Sequence, residues 1–301
     1  AGLAKDSDNR EDMTHKEHDS IPPLVALLAS ENTIGAKKNA ATALARLAID
    51  SEKTQLAIGK SGAITSLVGW LTTDKLSGPG MMELAARALA DIASDNVETA
   101  QKVVDTGAVA PLVRMLEAGM GTDAQKSASG CIATLTKANF LQPEAMRVAR
   151  LRAAEMPQKT EDDEQLAGAP ATAEQRTLAE EGRRQKAFME NLTATVIADA
   201  GGIPPLVELL KSERVGPHEN ASRAIWQLAH TVDNQFAIAK AGGIIPLVAL
   251  LSSGSDATKC HAAAAIEGLA RDCPENQLAL AKAKAIAPLV NLLGSESMET
   301  Q

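Results

Sequence analysis

Hydrophobic positions in this chain recur in one phrase, six times over. The phrase reads Ser-Ile-Pro-Pro-Leu-Val-Ala-Leu-Leu at 20–28, Ala-Ile-Thr-Ser-Leu-Val-Gly-Trp-Leu at 63–71 and Ala-Val-Ala-Pro-Leu-Val-Arg-Met-Leu at 108–116. It returns as Gly-Ile-Pro-Pro-Leu-Val-Glu-Leu-Leu at 202–210, Gly-Ile-Ile-Pro-Leu-Val-Ala-Leu-Leu at 243–251 and Ala-Ile-Ala-Pro-Leu-Val-Asn-Leu-Leu at 285–293. The Leu before each Val (Leu24, Leu67, Leu112, Leu206, Leu247, Leu289) marks steps of 43, 45, 94, 41 and 42 residues. Self-similarity at such a period is the signature of a stacked repeat array. Within each phrase the apolar residues cluster on one face of a helix, as packing on one side requires. Gly62, Gly107, Gly202 and Gly243 precede the phrase and predict left-handed caps that end a short helix. Proline follows in the first turn of the next helix, where its missing N–H costs little.

A polar loop such as Ser252-Ser253-Gly254-Ser255-Asp256 then leads to a third, alanine-rich helix. These third helices align as 40–48, 85–93, 128–136, 221–229 and 262–270. In that register Leu44 and Leu47, Leu89 and Ile92, Ile132 and Leu135, Ile225 and Leu228, and Ile266 and Leu269 occupy equivalent places. Three-residue spacing puts each pair on one face. Ala43, Ala88, Ala224 and Ala265 recur beside them and let helices approach closely. Short helix, Gly, Pro-Leu-Val helix, loop, Ala-rich helix: this order resembles the armadillo repeat family, whose period is roughly 40–47 residues. The resemblance covers nearly the whole chain outside one insertion. It implies an all-α fold, a right-handed superhelical solenoid of three-helix repeats.

The expected organisation is the end of one repeat at 1–9, repeats at 10–50, 51–95, 96–137, 188–231 and 232–272, and a partial repeat at 273–301. Gly2-Leu3-Ala4-Lys5-Asp6 matches Gly268-Leu269-Ala270-Arg271-Asp272, the close of a third helix. No polar capping repeat is visible, although solenoid ends normally carry one. A fragment of a longer array, with apolar ends open to self-association, is the expectation. The 94-residue step exceeds one 42-residue period by 52, which sets aside 138–187 as an insertion. It contains no Pro-Leu-Val phrase and runs from a helical stretch at 143–156 through Glu161-Asp162-Asp163-Glu164 to a capping box at Thr172 and Gln175. A charged, partly disordered excursion is expected there, with a docking arm as the alternative.

Composition supports helices. The chain has no Tyr, three Phe and two Trp, so its interior rests on Leu, Ala, Ile and Val. Sheets draw on aromatic and β-branched residues, whereas Ala and Leu are strong helix formers. Net charge is −8, which argues against a nucleic-acid partner held through Lys and Arg. No apolar run reaches the roughly 20 residues that span a bilayer, and no signal-type start is seen. Three irregularly spaced cysteines, Cys131, Cys260 and Cys273, fit a reducing compartment. A cytoplasmic location is expected, with the nucleus as the alternative.

Candidate chemistry is sparse. His15 and His18 share a helical face but have no Cys nearby, and Cys260, His261 and Cys273 lack the spacing of a structural zinc site. Gly119-Met120-Gly121 before Lys126-Ser127 lacks both the Gly-Lys pair and the preceding strand of a phosphate loop, and reads as a loop between helices. Gly78-Pro79-Gly80 reads as a turn. The acidic run 161–164 lacks the glycine and distal Glu of an EF-hand. Neither an enzyme, a metal nor a cofactor is expected.

One chemically specific surface remains. Four-residue spacing places Lys38, Thr42 and Arg46 in one stripe. The same spacing groups Glu83, Arg87 and Asp91; Lys126, Gly130 and Thr134; Glu219, Arg223 and Gln227; and Cys260, Ala264 and Gly268. The family resemblance implies that this face is a concave groove meeting an extended partner segment, so a protein-binding scaffold or adaptor is expected. Five basic and three acidic residues make the stripe slightly basic, which favours an acidic or neutral segment, extended or helical. Its Cys260, Ala264 and Gly268 end is small and uncharged, with room for a bulky apolar side chain or another helix. Trp226, three residues beyond Arg223, is expected inside. Import adaptors of the importin-α type carry Trp and, four residues on, Asn; Thr42/Arg46, Arg87/Asp91, Gly130/Thr134, Arg223/Gln227 and Ala264/Gly268 carry neither. Binding of nuclear localisation signals is therefore not expected. The remaining alternative is a structural subunit docked into a larger assembly through 138–187.

Overall fold

A computed structural model describes residues 20–29, 32–72, 79–140, 193–212, 215–253, 255–271 and 273–294. The stretch at 143–156, the acidic run, the 172–175 box, His15 and His18 lie outside the described residues, which contain helices and no strand.

Five third helices form the spine: α2 (Ile34–Ala48), α5 (Pro79–Ala93), α8 (Thr122–Phe140), α11 (Val215–Leu228) and α14 (Asp256–Ala270). The Pro-Leu-Val helices are α1 (Ile21–Leu27), α4 (Ala63–Thr72), α7 (Val109–Met115), α10 (Ile203–Leu209), α13 (Ile244–Ser253) and α16 (Ile286–Leu292). Short first helices complete the trios: α3 (Glu52–Lys60), α6 (Val97–Asp105), α9 (residues 193–199), α12 (Val232–Lys240) and α15 (Pro274–Lys282). Pro79 opens α5, so it starts a helix where a turn was expected. Ala118–Met120 is one 3-10 turn between α7 and α8, matching the loop expected there.

Polar side chains start many of the helices. Thr33, Ser51, Asn96, Thr231 and Ser255 each accept a hydrogen bond from the backbone N–H three residues on. Such caps satisfy donors that the first turn leaves without partners. Four of the first helices, α6, α9, α12 and α15, end in a Schellman pair; in α12 Gly242 N–H donates to Ala239 O and Gly243 N–H to Ile238 O. The left-handed residue is Gly62, Gly107, Gly201 and Gly242, with Lys284 in the last copy. Gly202 and Gly243, expected to carry that conformation, therefore do not. They sit one place later, where steric fit decides the residue. A Cβ on Gly202 would lie 2.8 Å from Ile197 Cγ2 and 2.9 Å from the Ile197 carbonyl oxygen. Ala63, Ala108 and Ala285 hold the equivalent place, so only the smallest side chains occur there.

Packing joins the trios into one continuous interior. Each third helix lies against the next, from α2 through α5, α8 and α11 to α14. Leu67, Leu112, Leu206 and Leu247 are fully buried, as are Leu44, Leu47, Leu89, Ile92, Ile132, Leu135, Ile225, Leu228 and Leu269. Their period-matched positions face one shared core, the geometry the apolar repeat demands. The 94-residue step does not interrupt it, because α8 packs directly on α11. Val113 of α7 likewise faces Gly202 at the start of α10, 3.3 Å from where a Cβ would stand.

Cys131 lies fully buried in α8. Burial, with the nearby Asp91 carboxylate, pushes its thiol up to about 12, so little thiolate forms at neutral pH. Cys260 is half-buried. In the native protein Cys260 is expected to take up iodoacetamide at least ~10-fold faster than Cys131, because alkylation needs exposed thiolate. Peptide mass spectrometry along a labelling time course reads both rates. Equal rates would mean that α5 and α8 do not enclose Cys131.

Candidate functional site, the third-helix ladder

The stripes named from spacing lie on five helices standing side by side, and cross-links between rungs fix their register. Lys38 extends from α2 to the start of α5, where its Nζ is 3.7 Å from the Cβ position of Gly80. Lys137 of α8 meets Asp95, just beyond α5, at 2.7 Å. That contact holds the Asp95 carboxyl below its usual range. Asn220 of α11 donates to the Lys126 carbonyl of α8 at 3.1 Å. The Thr136 hydroxyl donates to the side-chain carbonyl of Gln227.

Side-chain exposure divides the stripe. Lys38, Arg87, Asp91 and Lys126 are exposed, and Thr42, Arg46, Glu83, Thr134, Glu219 and Arg223 are half-buried. Gln227 differs. Spacing sets it beside Arg223, but it is 3% exposed and occupied with Thr136, so it fastens α8 to α11. Gly268 is also buried, and a Cβ there would meet the Ala229 Cβ at 3.1 Å and its carbonyl oxygen at 3.2 Å. It lets α14 approach α11 and leaves no room for a ligand. On α5, Asp91 is exposed as a residue, yet partial desolvation of its carboxyl raises its pKa while Arg87 opposes the shift.

The α11–α14 rung carries a feature that spacing did not reveal. Trp226 is half-buried, not interior, and stacks on His261 of α14 with ring centroids 5.8 Å apart and planes tilted by 21°. The His230 ring lies 6.4 Å from that of Trp226, with planes tilted by 54°. Burial, and secondarily Arg223, lowers the His261 pKa, against the attraction of Glu219. Burial also lowers Arg223, against the attraction of Glu219. Among the described residues the His261 Nδ1 and the Arg223 Nε have no hydrogen-bond partner. Ser255 Oγ donates to Glu219 Oε2 at 3.4 Å, a further link between the two helices. Trp226 lies three residues after Arg223 and one before Gln227, so a wider reading of the helical face could have included it.

Among the described residues no group of His, Cys, Asp and Glu is placed to hold a metal ion, and no single helix is long and apolar enough to cross a membrane.

Comparison with known proteins agrees with this architecture. The armadillo/beta-catenin-like repeat family matches residues 191–230 and 231–271. No curated protein matches the chain by sequence. Among solved structures, a designed armadillo repeat protein is 24% identical with a TM-score of 0.71, over 94% of this chain and 95% of that one. An engineered protein is 27% identical with a TM-score of 0.70, over 93% and 92%. A designed armadillo repeat protein in complex with the peptide (KR)4 is 23% identical with a TM-score of 0.68, over 94% and 95%. With these two matched repeats, the unbroken helix trios and the shared interior, the chain carries armadillo/beta-catenin-like repeats at 191–271 and has the fold of an armadillo solenoid.

Proposed function

We propose that this protein is a non-enzymatic scaffold that binds an extended segment of another protein along the groove lined by its third helices. One observation supports this above all: α2, α5, α8, α11 and α14 pack in unbroken succession. Polar side chains at matched positions thereby form a single track across the point where the sequence period breaks. A similar designed protein holds (KR)4. Here the track carries Lys38, Arg46, Arg87, Lys126 and Arg223 against Glu83, Asp91 and Glu219, so it suits an acidic or neutral segment better than a basic one. A nuclear-import role is not part of the proposal, because none of the five position pairs carries Trp with Asn. Replacing Arg87 and Arg223 together with alanine is expected to weaken partner binding about tenfold, roughly 1.4 kcal/mol. Quantitative affinity capture from cell extract, wild type against the double variant, measures it. Undiminished capture would transfer the binding role to the 138–187 segment.

A further inference from the structure

The ladder is chemically graded from one end to the other. On α2 the stripe holds Lys38 and Arg46 with no acidic residue among its three positions. On α5 the charges are mixed, Glu83 and Asp91 with Arg87, and on α8 only Lys126 is charged. At α11 Glu219 and Arg223 offset each other, and the α14 stripe, Cys260, Ala264 and Gly268, is uncharged. At this neutral end the half-buried Trp226 and the His261 ring stacked on it form a shelf of two rings between two helices. Ala264 beside it is small and half-buried. The other tryptophan, Trp70, is packed into the core. Partly exposed Trp next to Arg is the composition of interface anchors. Arg223 beside the shelf disfavours a cationic ligand, and the exposed part of the Trp226 indole suits an apolar side chain.

The spacing between the two ends follows from packing. Neighbouring packed helices stand about 8–10 Å apart. Three steps, α2 to α5 to α8 to α11, therefore span roughly 24–30 Å. An extended chain covers about 3.3 Å per residue, so about eight residues bridge that distance. We propose that the ladder selects a partner segment with acidic side chains at one end and a bulky apolar side chain about eight residues away. The acidic end lies over Lys38 and Arg46, and the apolar side chain seats on the Trp226–His261 shelf. The proposal rests on the groove reading above and adds the chemistry and spacing of what the groove holds.

The test uses the full chain and a synthetic peptide, Asp-Asp-Gly-Ser-Gly-Ser-Gly-Ser-Leu-Leu. Because the chain has two tryptophans and one is in the core, the indole N–H resonances report the shelf separately from the interior. The peptide is expected to shift the Trp226 indole signal saturably and leave that of Trp70 in place. Changing the leucines to serine, changing the aspartates to lysine, or moving the leucines next to the aspartates is each expected to weaken binding about tenfold, about 1.4 kcal/mol. Trp226→Ala is expected to remove the preference for leucine over serine, and the peptide series decides the same point should that variant fold poorly. Equal binding of the lysine or serine peptides would overturn the proposal while leaving a less selective groove in place. If no peptide moves any third-helix resonance, the groove reading falls as well.

Discussion

Replacing Leu206 with alanine is expected to cost about 2–5 kcal/mol of unfolding free energy. Leu206 is fully buried in α10, the first Pro-Leu-Val helix after the 94-residue step. The change removes apolar area from water and leaves a cavity in a close-packed interior that collapses only partly. Each repeat of a solenoid contacts only its neighbours, so the damage should stay local. Urea denaturation measures the total. Amide hydrogen exchange should show protection lost first in α10, α11 and the flanking α7 and α8, with α1 to α4 little changed. A loss below about 1 kcal/mol would mean that Leu206 does not belong to the shared core.

Thr136→Val should cost about 1–3 kcal/mol, although valine has nearly the same shape. The Thr136 hydroxyl is the donor to the buried side-chain carbonyl of Gln227, across the junction of α8 and α11. With valine that carbonyl stays buried and loses its partner, which costs the desolvation of an unsatisfied polar group. Gln227→Leu on its own should cost less, because Thr136 retains acceptors in the Ile132 and Ala133 carbonyls, at 3.0 and 3.1 Å. Combining both changes should recover part of the loss, since replacing both partners of a buried hydrogen bond by apolar groups can be nearly neutral. Thermal or urea unfolding of the four proteins closes this double-mutant cycle. Simple additivity of the two costs would show that the pair is not joined.

Much of the candidate site was legible one helix at a time. Four-residue spacing set Arg87 beside Asp91 and Glu219 beside Arg223, and the structure shows each pair electrostatically linked. It could not show that Gln227 turns away to Thr136, that Gly268 is filled by Ala229, or that Trp226 meets His261. Each of these depends on which atom of a neighbouring helix stands opposite, and helical periodicity carries no information about the neighbour. Gly201 and Gly202 show the same limit at shorter range. Both are glycines before one helix, yet only the first, at φ +77°, needs glycine for its backbone. The second stands where space is short, a Cβ there lying 2.8 Å from Ile197 Cγ2.

From residue order alone came the helical class, the period near 42 residues, the three-helix unit and the face each helix buries. Those properties arise because apolar residues repeating at helical spacing must turn toward a common interior, and that constraint is written in order and period. Contact between α8 and α11 across the 94-residue step was a matter for the folded chain. So were the buried Thr136–Gln227 bond and the half-buried Trp226–His261 shelf. They join residues 91 and 35 positions apart, and only packed helices decide which side chains at such separations meet.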